Sequence, residues 1–107
     1  MGEIFRFFEP FPDDASASEY RIVSIDHLKP TKCTETLGAN GRAESVEKAL
    51  RHIHKLKLGV SGAKRRAPLE VKDNYDGTYL ILDGNAAYSA YKELGWKQLP
   101  VRILQDD

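Results

Sequence analysis

"YLILDGNAAYSAYKELGWKQLPVRIL", residues 79–104, runs from an apolar segment through Asp83-Gly84-Asn85 into a helical pattern, then into a second apolar segment. Ala87, Ala90, Tyr91 and Leu94 recur at helical spacing, and Gly95 supplies a left-handed stop. "LPVRIL" then reads as a strand opened by Pro100. Gly84 lets the chain reverse with no side chain in the way, and Asn85 has the chemistry of a helix cap. A helix start carries unpaired N–H groups and a partial positive charge, so Asp83, Gly84, Asn85 and Ala86 form a candidate ligand-binding turn for an anion. The competing reading is structural: Asn85 and Asp83 do no more than cap the helix.

Working upstream, Leu69–Lys72 and Thr78–Leu82 read as a hairpin around Asp76-Gly77, the two-residue turn favoured between strands. Before it, "KLKLGVSGAKRR" gathers Lys55, Lys57, Lys64, Arg65 and Arg66 without an acid. Such a run is either a solvated face or a phosphate or nucleic-acid contact. Gly59 and Gly62 let this loop mould itself to a backbone, which makes Lys57, Lys64, Arg65 and Arg66 the candidate contacts. From Arg42 to Leu58, Val46, Ala49, Leu50, Ile53 and Leu56 mark one face of an amphipathic helix. His52 and His54 stand two apart on it and face different directions, so no metal site is expected there. Further upstream, "YRIVSIDHLKPT" is a short strand with Val23 and Ile25 on one face, leaving the sheet near Asp26 and stopping by Pro30. "TKCTETLGANG" after it reads as loop. Trp96 either stacks on a base or closes the core, and Tyr88 is the more exposed of the two tyrosines on the second helix.

The chain has 107 residues, room for one modest core, and its 16 basic and 16 acidic residues cancel. That balance excludes a histone-like or acidic-tail protein while leaving local clusters to act. Cys33 is the only cysteine, which rules out an internal disulfide and fits a cytoplasmic location. No window approaches the roughly 18 apolar residues of a membrane span, so no membrane partner is expected. Residues 1–19 read as an acidic, aromatic arm, and residues 20–107 as the domain. Phe5, Phe7, Phe8 and Phe11 are too many aromatics for a solvated tail and are expected to pack on the domain or on a second chain.

"YLILDGNAAYSAYKELGWKQLPVRI" resembles the ParB/sulfiredoxin-like superfamily. There a strand enters a glycine-containing turn, often with a His-Arg or Arg-Arg pair, followed by a helix ending in "LG" and a strand opening "IPV" or "LPV". "RIVSIDHLKPT" is similar to that family's first strand and its L-x-P exit, and "APLEV" to the strand before the turn. The resemblance covers most of residues 20–104. It implies a small α/β (α+β) domain with a mixed sheet of about four to five strands and two main helices. Where nuclease-annotated, partition-protein and serine-kinase members tend to carry His or Arg after the glycine, this chain has Asn85, Ala86 and Ala87. Sulfiredoxin's reactive cysteine lies inside the turn motif, whereas Cys33 stands far upstream.

The leading expectation is therefore a ParB-like domain that takes a nucleotide or nucleic-acid phosphate at the Gly84–Ala86 turn, with help from the Lys64–Arg66 loop and without strong catalysis. The cofactor consistent with this is a nucleotide with magnesium. An alternative is a phosphotransferase or nuclease using Glu35 or Asp83 as acid or base. A third reading is a protein-interaction or self-association module working through the phenylalanine arm.

Overall fold

The computed structural model describes residues 4–13, 19–31 and 44–104; the expectations for Cys33, Glu35 and the loop around them lie outside the described residues. The elements run α1 (Ile4–Phe7), β1 (Tyr20–Ser24), a 3₁₀ turn at Ile25–His27, β2 (Leu28–Lys29), α2 (Glu44–Leu58), β3 (Leu69–Asp73), β4 (Tyr79–Asp83), α3 (Asn85–Glu93) and β5 (Gln98–Ile103). The strands form one sheet in the order β1-β5-β3-β4-β2. β1 and β5 are antiparallel, as are β3 and β4, while β3 pairs β5 and β2 pairs β4 in parallel. This is the mixed α+β architecture that the resemblance implies, with five strands.

Each apolar alternation finds its place. Leu69 and Val71 of β3, Tyr79 and Ile81 of β4, and Leu99, Val101 and Ile103 of β5 are buried, as are Ala49, Ile53 and Leu56 of α2. Pro100 sits in a strand with neighbours on both sides, normally a poor position because proline cannot donate to the ladder. Ile103 N donates to Glu19 O and Ile25 N to Lys97 O, so the odd-numbered residues of β5 bond toward β1, whereas Leu104 N donates to Val71 O. Pro100 thus turns its missing donor toward β3, one residue before the β3–β5 pairing begins at Leu69 and Val101.

The arm belongs to the same core. Phe7 and Phe8 are fully buried with Tyr91. Tyr91 contacts the rings of Phe7, Phe8 and Trp96 at centroid distances of 6.3, 5.1 and 4.5 Å, so Trp96 closes the core. Phe11 bridges the exposed side, 5.5 Å from Phe5 and 5.2 Å from Tyr20. Backbone bonds join the arm to the linker before β3: Arg66 N donates to Phe7 O at 3.0 Å and Glu9 N to Arg66 O at 2.7 Å.

Two local expectations are corrected. The hairpin loop is longer than the Asp76-Gly77 pair: the last strand pair is Asp73 with Tyr79, leaving residues 74–78 as the connection. Carboxylates stabilise it, with Asp73 Oδ1 accepting from Tyr75 N and Asp76 Oδ1 from Thr78 N, while Tyr75 and Gly77 take φ of 60° and 91°. The bonds from Thr78 hold the Asp76 carboxyl below its ordinary value. Tyr88 is the more exposed of the two helix tyrosines, as expected, though both are buried, and Lys92 Nζ donates to its hydroxyl. The second correction concerns Asn85 and belongs to the site.

Candidate functional site

β4 hands the chain to α3 at Gly84, whose φ of 109° is open to glycine and strained for any other residue. A Cβ there would also lie 2.7 Å from Leu69 Cγ, so the turn is pressed directly against β3. Gly84 itself occupies the cap position, with no side-chain capping bond. Asn85 is thus the first helical residue, not the cap. Its amide reaches sideways instead: Oδ1 accepts from Thr31 N at 2.9 Å, and Nδ2 donates to Thr31 Oγ1 at 3.0 Å. Thr31 Oγ1 in turn donates to Ile81 O at 2.7 Å. The expected result for Asn85→Ala is a loss of about 0.5–1.5 kcal/mol from these hydrogen bonds. A double-mutant cycle with Thr31→Ala checks it: coupled losses fit the clasp, whereas additive losses would return Asn85 to a capping role.

The first helical bond of α3 runs from Tyr88 N to Gly84 O, so the N–H groups of Asn85, Ala86 and Ala87 precede it. Of the turn and helix start, Gly84 and Ala87 line a cleft of about 310 Å³, together with Tyr20, Glu70, Asp83 and Arg102 from the strands and Arg66–Leu69 from the linker and the start of β3. Register explains the polar wall. Tyr20 pairs with Arg102, Arg102 with Glu70, and Glu70 with Asp83, one row across four strands. A shift in the β3–β4 ladder makes Val71 pair with Ile81 while Glu70 pairs with Asp83, so Leu82 is the extra residue and Asp83 is re-aimed into the row.

The two arginines of the cleft differ. Arg102 is satisfied: Nε donates to Glu19 Oε1 at 2.9 Å and Nη1 lies 3.8 Å from Glu70 Oε2, and the Glu19 bond raises its pKa further. Arg66 is half-buried, and its Nε is buried without a hydrogen-bond partner. Its guanidinium makes no ion pair or hydrogen bond among the described residues. The fully buried Tyr91 hydroxyl also lacks a partner, and burial pushes its pKa up while the Arg66 charge pulls the other way.

Asp83, Gly84 and Arg66 therefore meet around one cleft. Asn85 and Ala86 do not line it: the Asn85 side chain is engaged by Thr31, and Ala86 packs half-buried against the core. The basic loop is divided. Arg65 Nη1 donates to Phe5 O at 2.9 Å, tethering the arm, and the carbonyl of Lys57 accepts from Arg6 Nη2 at 2.8 Å. Lys64 lines a second, more open cleft of about 450 Å³ with His52, Lys55 and Val60–Ala63, and its carbonyl accepts from His52 Nε2 at 2.8 Å. Sequence reasoning passed over Tyr20, Glu70 and Arg102. The only signal for them was a polar residue between buried ones, Glu70 between Leu69 and Val71 and Arg102 between Val101 and Ile103.

Among the described residues no helix is long and apolar enough to cross a membrane. No protein-family model matches the chain, and no curated protein sequence does. Solved structures do match. A free serine kinase in complex with AMP superposes with a TM-score of 0.55 at 23% identity over 81% of this chain, which spans 31% of the kinase. Sulfiredoxin from Arabidopsis thaliana gives a TM-score of 0.56 at 18% identity, covering 81% of this chain and 85% of that one. The C-terminally truncated chromosome-partitioning protein ParB from Caulobacter crescentus, complexed with CTP-gamma-S, gives 0.55 at 23% identity, covering 82% of this chain and 45% of ParB. With its five-stranded mixed sheet and its strand–glycine turn–helix unit, the chain has the ParB/sulfiredoxin-like fold.

Proposed function

We propose that this domain binds a nucleotide, with a phosphate seated between the N–H groups at the start of α3 and the Arg66 guanidinium. The observation that carries the reading is Arg66: a half-buried cation without a partner among the described residues, on the wall of a cleft that a helix start borders. Leaving such a group unpaired is costly, and a phosphate is the acceptor whose geometry its fork matches. AMP and CTP-gamma-S in complexes of two proteins of the same fold support the ligand class. Asp83 and Glu70 oppose a bare anion from the same walls, which favours a nucleotide that brings magnesium with it. The reading is of binding, with no catalytic step assigned.

A second reading rests on charge distribution. Lys48, Arg51, Lys55, Lys57, Lys64, Arg65 and Arg66 fall between Lys48 and Leu69 with no acid, in a chain of zero net charge. The exposed members of this set form a face suited to the phosphates of nucleic acid, separate from the turn. The interaction-module reading loses Phe7 and Phe8, which are buried in this chain's own core.

One thermal-shift series tests these readings, with AMP, CTP and duplex DNA, each with and without magnesium. Nucleotide at a hundredfold excess over its dissociation constant adds about 2.7 kcal/mol to stability, a rise of several degrees. A shift with nucleotide that persists at moderate salt is the expected result. A shift with DNA alone, lost on adding salt, would leave only the cationic face, and no shift with any ligand would remove both readings.

A further inference from the structure

Arg66 is held from the side by the aromatic arm. Its N–H donates to Phe7 O at 3.0 Å, and its carbonyl accepts from Glu9 N at 2.7 Å, so Phe8 and Arg66 form a parallel bridge. Phe8 beside this bridge is fully buried against Tyr91, which fixes the arm, and Arg65 Nη1 ties Phe5 O at 2.9 Å on the other side. Both neighbours of the cleft's unpaired cation along the main chain are thereby anchored: Arg65 to the arm, and Ala67-Pro68 leading into β3. Among the described residues the main-chain hydrogen bonds of Arg66 go to the arm, because the Arg66–Pro68 linker precedes the first residue of β3.

We infer that the N-terminal arm is a positioning element for the ligand cleft: the main chain of Phe7–Glu9 fixes Arg66 so that its guanidinium is presented to the nucleotide phosphate. This rests on the nucleotide-binding reading above. Loosening the Phe7–Glu9 main chain from Arg66 frees the only cation of the cleft that lacks an acid partner among the described residues. Ligand binding and arm docking are then coupled. By reciprocity, a ligand that prefers the docked arm also makes the arm dock more firmly.

The test uses the full chain and a substitution that removes one donor. Glu9 is exposed, and its contribution is its N–H. Glu9→Pro deletes that N–H, whereas Glu9→Ala retains it. Removing one such bond is expected to lower the affinity for AMP or CTP about three- to tenfold in Glu9→Pro, as the loss of a hydrogen bond does, with wild-type affinity in Glu9→Ala. In the unmodified protein, saturating nucleotide should slow hydrogen exchange at the Glu9 and Arg66 amides, a measurement that decides the matter even if Glu9→Pro fails to fold. Unchanged nucleotide affinity in a folded Glu9→Pro protein, or exchange at Glu9 and Arg66 indifferent to bound nucleotide, overturns the inference while leaving the binding site standing. If the unmodified protein binds neither AMP nor CTP, the parent reading fails and takes this one with it.

Discussion

Arg66→Met should weaken nucleotide binding by about ten- to a hundredfold, the loss of a charge-assisted hydrogen bond worth roughly 1.5–3 kcal/mol. Methionine keeps a flexible apolar stem in the half-buried site and removes only the guanidinium. The companion result separates function from structure. Because the Arg66 side chain makes no ion pair or hydrogen bond among the described residues, the ligand-free variant should be as stable as the wild type or more so. Titration calorimetry beside a denaturation series checks both halves. A variant that loses binding only by unfolding would show instead that Arg66 holds the fold, and the unpaired guanidinium would no longer speak for a ligand.

Gly84→Ala should be the most damaging single methyl in the chain, costing about 2–5 kcal/mol. Two penalties act together. A residue with a Cβ at a φ of 109° meets the steric cost of the left-handed region, about 1–2 kcal/mol. The methyl carbon would also stand 2.7 Å from Leu69 Cγ, and overpacking of this kind typically costs about 1–3 kcal/mol. Leu69 is buried and cannot swing into solvent. Gly95, at φ 86° but with nothing near its missing Cβ, is the internal control: Gly95→Ala meets the conformational penalty alone and should cost roughly 1–2 kcal/mol. Equal losses at the two positions in urea denaturation would show that β3 yields to the extra methyl and that the turn is less tightly built than described.

What was legible in the sequence was what short range dictates. The helical spacing of Ala87, Ala90 and Tyr91, the stop at Gly95 and the strands either side of the hairpin follow from local geometry, and the structure has them. The loop at residues 74–78 was misjudged because Asp-Gly signals a tight turn only where the flanking residues continue the ladder. Here Asp73 and Asp76 bind backbone amides within the loop instead. Asn85 looked like a cap for a similar reason: its partner Thr31 lies 54 residues away in sequence, and only the fold brings them together. The polar row of Tyr20, Arg102, Glu70 and Asp83 depends on the register of four strands and on one bulge, neither of which periodicity encodes. The basic loop shows the limit most plainly. Sequence proximity joined Lys64, Arg65 and Arg66 into one patch, while the structure places Lys64 in a second cleft, ties Arg65 to the arm and sets Arg66 in the cleft that Gly84 also lines.

Whether the turn at Gly84 and the Arg66 side chain hold one phosphate is measured directly by a nitrogen–proton NMR titration with AMP or CTP that follows the backbone amides of Gly84, Asn85, Ala86 and Ala87 together with the Arg66 Nε–H. These signals should move together with one affinity, the Arg66 Nε–H should shift downfield as it gains an acceptor, and the amides of Lys55–Lys64 should stay nearly still. Shifts confined to Lys55–Lys64, with the turn and Arg66 unmoved, would contradict a shared site.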